Sequence, residues 1–66
     1  MAKTTEHPIR AARKQHGLTL EQLGEATDIH KATISKIERR IQGASIDAYR
    51  RIARILDVDW WTLVEE

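Results

Sequence analysis

The sequence predicts an all-α domain, and three observations carry that prediction. No segment alternates apolar and polar residues between turn signals, as a half-buried strand would. Pro8 is the sole proline, and Gly17, Gly24 and Gly43 are too scattered to punctuate a series of hairpins. Apolar side chains recur instead at helical spacing, most clearly at Ile46, Tyr49, Ile52, Ala53 and Leu56.

The first helix is expected to begin near Pro8, whose fixed φ suits a first turn, and to end at Gly17, which suits the left-handed residue after a helix. Ile9 and Ala12 are its inward face. The second opens with "TLEQ", in which Thr19 caps the backbone and Gln22 reaches back to complete a capping box. Leu23 and Ala26 then face inward. The third lies in "TDIHKATISKIERR", where Ile34 and Ile37 share one face, His30 stands at the N-cap or first turn, and Lys31 and Lys36 point away. The fourth starts after the N-cap Ser45 and sets Arg50, Arg51 and Arg54 opposite its apolar stripe. Asp59 caps a short fifth helix carrying Trp60, Trp61, Leu63 and Val64. Residues 1–7 read as a flexible arm and 64–66 as a fraying tail.

At 66 residues there is material for one core, so 1–66 reads as a single domain. With 41% hydrophobic and 32% charged residues the composition is that of a folded chain. Cysteine is absent, which excludes a disulfide or thiolate–metal framework and leaves stability to packing or oligomerisation. No apolar run approaches 18 residues and no secretory leader is recognisable, so the expected location is cytoplasmic, away from membranes.

The net charge of +1 hides a polarity. Residues 1–29 carry four basic and four acidic side chains, residues 30–54 seven and two, and residues 55–66 four acids and no base. This is the pattern of a basic working face with an acidic far end, although a charge run is also the ordinary make-up of a solvated surface.

The connection between the second and third helices decides what kind of helical domain this is. In "LGEATDIHKATISKI" a small Gly24 allows close approach, a turn of about four residues surrounds Asp28, Ile29 plugs it, and Ile34 and Ile37 seat the next helix. Those are the requirements of a helix-turn-helix, whose second helix stands proud of the surface to enter a major groove.

The runs "LTLEQLGEATDIHKATISKIE" and "SIDAYRRIARILDV" resemble the Cro/repressor-type, or Xre, helix-turn-helix domains, and the likeness extends from about Ile9 to Leu63. The resemblance implies a five-helix lambda-repressor-like fold and a dimeric, sequence-specific binder of double-stranded DNA that regulates transcription. It places base-reading side chains at His30, Lys31, Ala32, Ser35 and Lys36. The chemistry agrees: lysine donors suit guanine O6 and N7, Ser35 donates or accepts, and the Ala32 methyl suits thymine. For His30 a plain N-cap without base contact is the competing role. Phosphate contacts fall to the N-termini of the second and third helices, with Thr19, Thr33, Arg39, Arg40 and Gln42. Arg13 and Glu38 match an internal ion pair that is structural in related repressors.

Four positions depart from the family pattern. Leu20 stands where a phosphate-binding Gln is common, Asp28 replaces the usual turn Gly, and Arg39 and Arg40 replace the common Asn-Gly after the third helix. Losing that last Gly is expected to lengthen the helix or reshape the loop. Asp tolerates the left-handed region better than most residues, so the turn is expected to survive.

A chain this small buries one large aromatic readily, so the pair Trp60–Trp61 leaves one ring for solvent or for a partner. A two-fold homodimer through Trp60, Trp61 and Leu63 would use it. No nucleophile elbow, phosphate-cradling loop or carboxylate pair is present, and His7, His16 and His30 lack metal-site spacing; neither enzyme activity, cofactor, metal nor small-molecule ligand is expected. The rival reading is an antitoxin-type protein-binding module that masks a toxin and autoregulates its operon. No sensor domain is expected, so control is expected to rest on concentration and dimerisation, the logic of a small phage or mobile-element regulator.

Overall fold

The structure is a computed structural model and describes residues 6–64. Among the described residues the chain forms α1 (Pro8–Gln15), α2 (Leu20–Thr27), α3 (Lys31–Glu38), α4 (Ile46–Leu56) and a 3₁₀ turn (Trp60–Leu63). The expected fifth helix is therefore a single four-residue turn. Asp59 precedes it without a side-chain cap; its carbonyl instead accepts from the Thr62 amide (3.0 Å) and hydroxyl (2.6 Å), and the chain is extended again at Val64. Among the described residues no helix is long and apolar enough to cross a membrane.

Local chemistry sets the helix ends. Pro8 is the first residue of α1, and the Nδ1 of His7 accepts the Ile9 amide at 3.1 Å. His7 is buried, and Glu6 pairs with Lys14 (2.8 Å) and Arg10 (3.4 Å), so these two residues belong to the folded unit and not to an arm. Residues 1–5 and 65–66 of the expected arm and tail lie outside the described residues. At the other end of α1, Gly17 takes φ +68°, its amide bonds the Lys14 carbonyl and the Leu18 amide bonds that of Arg13. That pair of bonds is a Schellman closure.

The capping box opens α2: Thr19 Oγ1 accepts the Gln22 amide at 3.0 Å and Gln22 Oε1 accepts the Thr19 amide at 2.9 Å. Its inward face is Leu23, Gly24 and Thr27, and Ala26 is exposed, contrary to expectation. A polar residue is admitted there because Thr27 Oγ1 donates to the Leu23 carbonyl at 2.8 Å, leaving no unpaired hydroxyl. Asp28 then turns the chain in the left-handed region (φ 61°, ψ 31°).

Ser45 caps α4 through the Ala48 amide, and Asp57 ends it at φ 58°. Ile46, assigned to the apolar face, is exposed; the buried face of α4 is Ile52, Ala53 and Leu56. The core itself gathers Ile9, Leu23, Ile34, Ile37, Ile52, Ala53, Leu56 and Leu63 from all five elements. Each large aliphatic side chain so buried contributes about 1.5–3 kcal/mol of transfer free energy. Leu63 is 1% exposed, so its expected place in a dimer interface is corrected: within the protomer it closes the core against α1 and α4.

Candidate nucleic-acid interface

The α2–turn–α3 unit is fixed by backbone contact. A Cβ built on Gly24 would lie 2.7 Å from the Ile29 carbonyl oxygen and 3.2 Å from the Lys31 nitrogen, so only glycine fits without movement. Ile34 and Ile37 then seat α3 in the core, at 0% and 2% exposure.

Opposite that seat, His30, Lys31, Ala32 and Lys36 are exposed, while Thr33 and Ser35 are half-buried at the margins. The five residues expected to read bases thus fall on or beside one accessible face, Ser35 being the least open. His30 is the N-cap of α3: its Nδ1 accepts the Ala32 amide at 3.0 Å. Thr19 stands at the neighbouring N-terminus of α2, its hydroxyl oxygen engaged by the capping box.

Beyond α3, Arg39, Arg40 and Gln42 are exposed. Helix lengthening does not occur: α3 stops at Glu38, and Arg40 adopts φ 62° in place of the absent glycine. The Arg40 amide bonds the Ile37 carbonyl (3.0 Å) and the Ile41 amide that of Lys36 (2.9 Å), again a Schellman closure. The turn is kept at a local conformational cost of about 1 kcal/mol.

Arg13 ties this unit to α1. Its Nε and Nη2 donate to the two carboxylate oxygens of Glu38 at 2.8 and 3.1 Å, and Nη1 donates to the Leu18 carbonyl at 2.8 Å. Both side chains are largely shielded, at 12% and 5% exposure, so the fork is a satisfied, nearly buried ion pair.

Two features were not anticipated. Glu21 places a carboxylate oxygen 3.9 Å from Lys31 Nζ and, with Glu25 and Asp28, borders a shallow groove alongside His30 and Lys31. At the far end, Arg50 lies over the Trp60 ring at 5.8 Å instead of standing free on a solvated face. Trp60 packs on the core, edge-on to Trp61, which is 60% exposed. Both arrangements depend on how neighbouring elements meet, which residue spacing along one helix does not reveal.

A helix-turn-helix family profile matches residues 9–60. The transcriptional regulator SinR of Bacillus subtilis is 36% identical over 59 residues, covering 88% of this chain and 53% of SinR. SinR of Bacillus licheniformis aligns equally well, so the chain spans about half the length of the curated relatives it matches. Among solved structures, the N-terminal DNA-binding domain of B. subtilis SinR superposes with a TM-score of 0.81 at 36% identity, over 88% of this chain and 86% of that one. A crystal structure of SinR in complex with DNA gives 0.82 at 34% identity, covering 88% and 97%. With a buried seat, an exposed basic face and the backbone-locked turn between its second and third helices, the chain belongs to the helix-turn-helix family of Cro/repressor type, a non-enzymatic family of DNA-binding regulators.

Proposed function

We propose that this chain is a sequence-specific double-stranded-DNA-binding transcriptional regulator, a Cro-like repressor acting as a homodimer on a pseudo-palindromic operator. The observation that carries the reading is the division of α3, with Ile34 and Ile37 buried and Lys31, Ala32 and Lys36 exposed together with the N-cap His30. A helix so seated enters a major groove with its N-terminal half against base edges. His30, Lys31, Ala32, Ser35 and Lys36 read bases. Thr19, Thr33, Arg39, Arg40 and Gln42 hold phosphates and set register. Arg13 and Glu38 hold α3 on its scaffold.

The dimer is proposed to form through Trp61, whose ring is the largest exposed apolar side chain among the described residues, with Trp60 beneath it. A second reading rests on the same ring: a protein partner, such as a toxin, covers it. One of the solved relatives is a SinR–SinI protein complex.

Selection from a random duplex library at two salt concentrations, with the oligomeric state measured alongside, tests the proposal. Recovery of a pseudo-palindrome with half-sites about one helical turn apart supports it. Weak, sequence-blind binding that falls steeply with salt refutes specific recognition and directs attention to a protein partner at Trp61.

A further inference from the structure

The side chain of His30 does two things at once, and the first dictates the second. Its Nδ1 accepts the Ala32 amide, satisfying one of the unpaired donors of the first turn of α3. A neutral imidazole that accepts at Nδ1 carries its proton on Nε2. The ring is exposed, and among the described residues no second partner of His30 is found. The free edge of the ring is therefore an N–H donor, standing at the head of the helix that faces DNA.

We infer that His30 is a donor-only base reader whose tautomer is set by its own helix cap. The inference rests on the DNA-binding reading above and specifies the chemistry of one contact. Nε2–H will bond an acceptor on a base edge in the major groove: guanine N7 or O6, adenine N7 or thymine O4. It will refuse cytosine, whose edge offers an N4 amine donor. His7 shows that the cap alone does not make a reader: its Nδ1 makes the corresponding bond to Ile9, yet the residue is buried.

Two substitutions separate the roles. His30→Asn sets an amide oxygen near the position of Nδ1 and keeps the cap but lacks the reach of the ring. His30→Gln reaches as far as Nε2 with an N–H donor but caps poorly. Library selection with both variants and the unaltered full chain, together with exchange protection of the Ala32 amide, reads base preference and cap independently. Long-range ¹H–¹⁵N spectra of the His30 ring report its tautomer.

The expected result is that His30→Asn keeps Ala32 protection and loses roughly ten-fold discrimination at one base-pair position. His30→Gln is expected to lose protection and retain part of the discrimination. The spectra should show the proton on Nε2 with and without DNA. Discrimination by His30→Asn equal to that of the unaltered chain overturns the assignment and leaves His30 a cap. A uniform loss on all sequences also overturns it, in favour of a phosphate contact. A proton on Nδ1 refutes the tautomer argument. Failure of the unaltered chain to select any sequence removes the DNA reading itself and this contact with it, which is distinct from failure of the variants alone.

Discussion

Two helices of this protein are built from the same parts and put to different use. α1 and α3 each run for eight residues. Each is opened by a histidine whose Nδ1 accepts the amide two residues on, and each closes with a Schellman pair around a left-handed residue. In α1 the histidine is buried and the left-handed residue is Gly17; in α3 the histidine is exposed and the left-handed residue is Arg40. Arg13 and Glu38 join the two. Identical local devices thus yield a scaffold helix when their polar atoms are turned inward and a display helix when they are turned out. The arginine marks the difference most clearly, because it occupies a backbone position where glycine is the cheaper residue.

The seat of α3 gives the largest expected effect. Ile34→Ala empties a fully buried position and should lower stability by about 2–5 kcal/mol, measured by urea or thermal unfolding. Next comes the tie between the helices: Arg13→Ala leaves the nearly buried Glu38 carboxylate unpaired and should cost about 3 kcal/mol in the same assay. A much smaller loss would mean that the two helices do not depend on one another. Lys36→Ala should leave stability unchanged and reduce discrimination at one base-pair position by about 1–3 kcal/mol in competition binding. Equal loss on every sequence would contradict its role as a reader.

Exchanging the left-handed residues sharpens the comparison further. Arg40→Gly should raise stability by up to about 1 kcal/mol while weakening all DNA sequences alike and reducing the salt slope by about one. Gly17→Arg should lower stability by about the same amount without changing base preference. The smallest effect lies at the start of α1, where the hydrogen bond from Lys14 holds the Glu6 carboxyl below the ordinary carboxylate range. Its contribution is present above the unfolded-state value and is lost as pH falls through the lowered one. Stability–pH curves of the native chain and Lys14→Ala should therefore converge at low pH.

Helix ends were the most legible part of this sequence because their causes are local. Pro8, Gly17, the Thr19–Gln22 box, Asp28 and Ser45 act within four residues of themselves, and each stands where its chemistry predicts. The face of α3 was legible for the same reason, since Ile34 and Ile37 need only be one turn apart. What could not be read depends on contacts between distant segments. Ala26 and Ile46 fit an apolar stripe and yet face water. Leu63 looked as available as Trp61, and only the packing of the last turn against α1 and α4 sends one inward and the other outward. Arg40 in a glycine conformation illustrates a third limit: propensity disfavours it, and the two backbone bonds of the closure override propensity.

The contact at Gly24 has a consequence for how such a protein changes over generations. Because main chain meets main chain there, the pitch of α3 against α2 is set without any contribution from the exposed side chains of α3. Lys31, Ala32 and Lys36 can then be exchanged as letters in a frame that stays in place, whereas His30 also holds the Ala32 amide. A new preference for DNA is reachable by surface substitutions, each cheap in stability, and a lineage of such domains can diversify its targets while inheriting one unaltered mount.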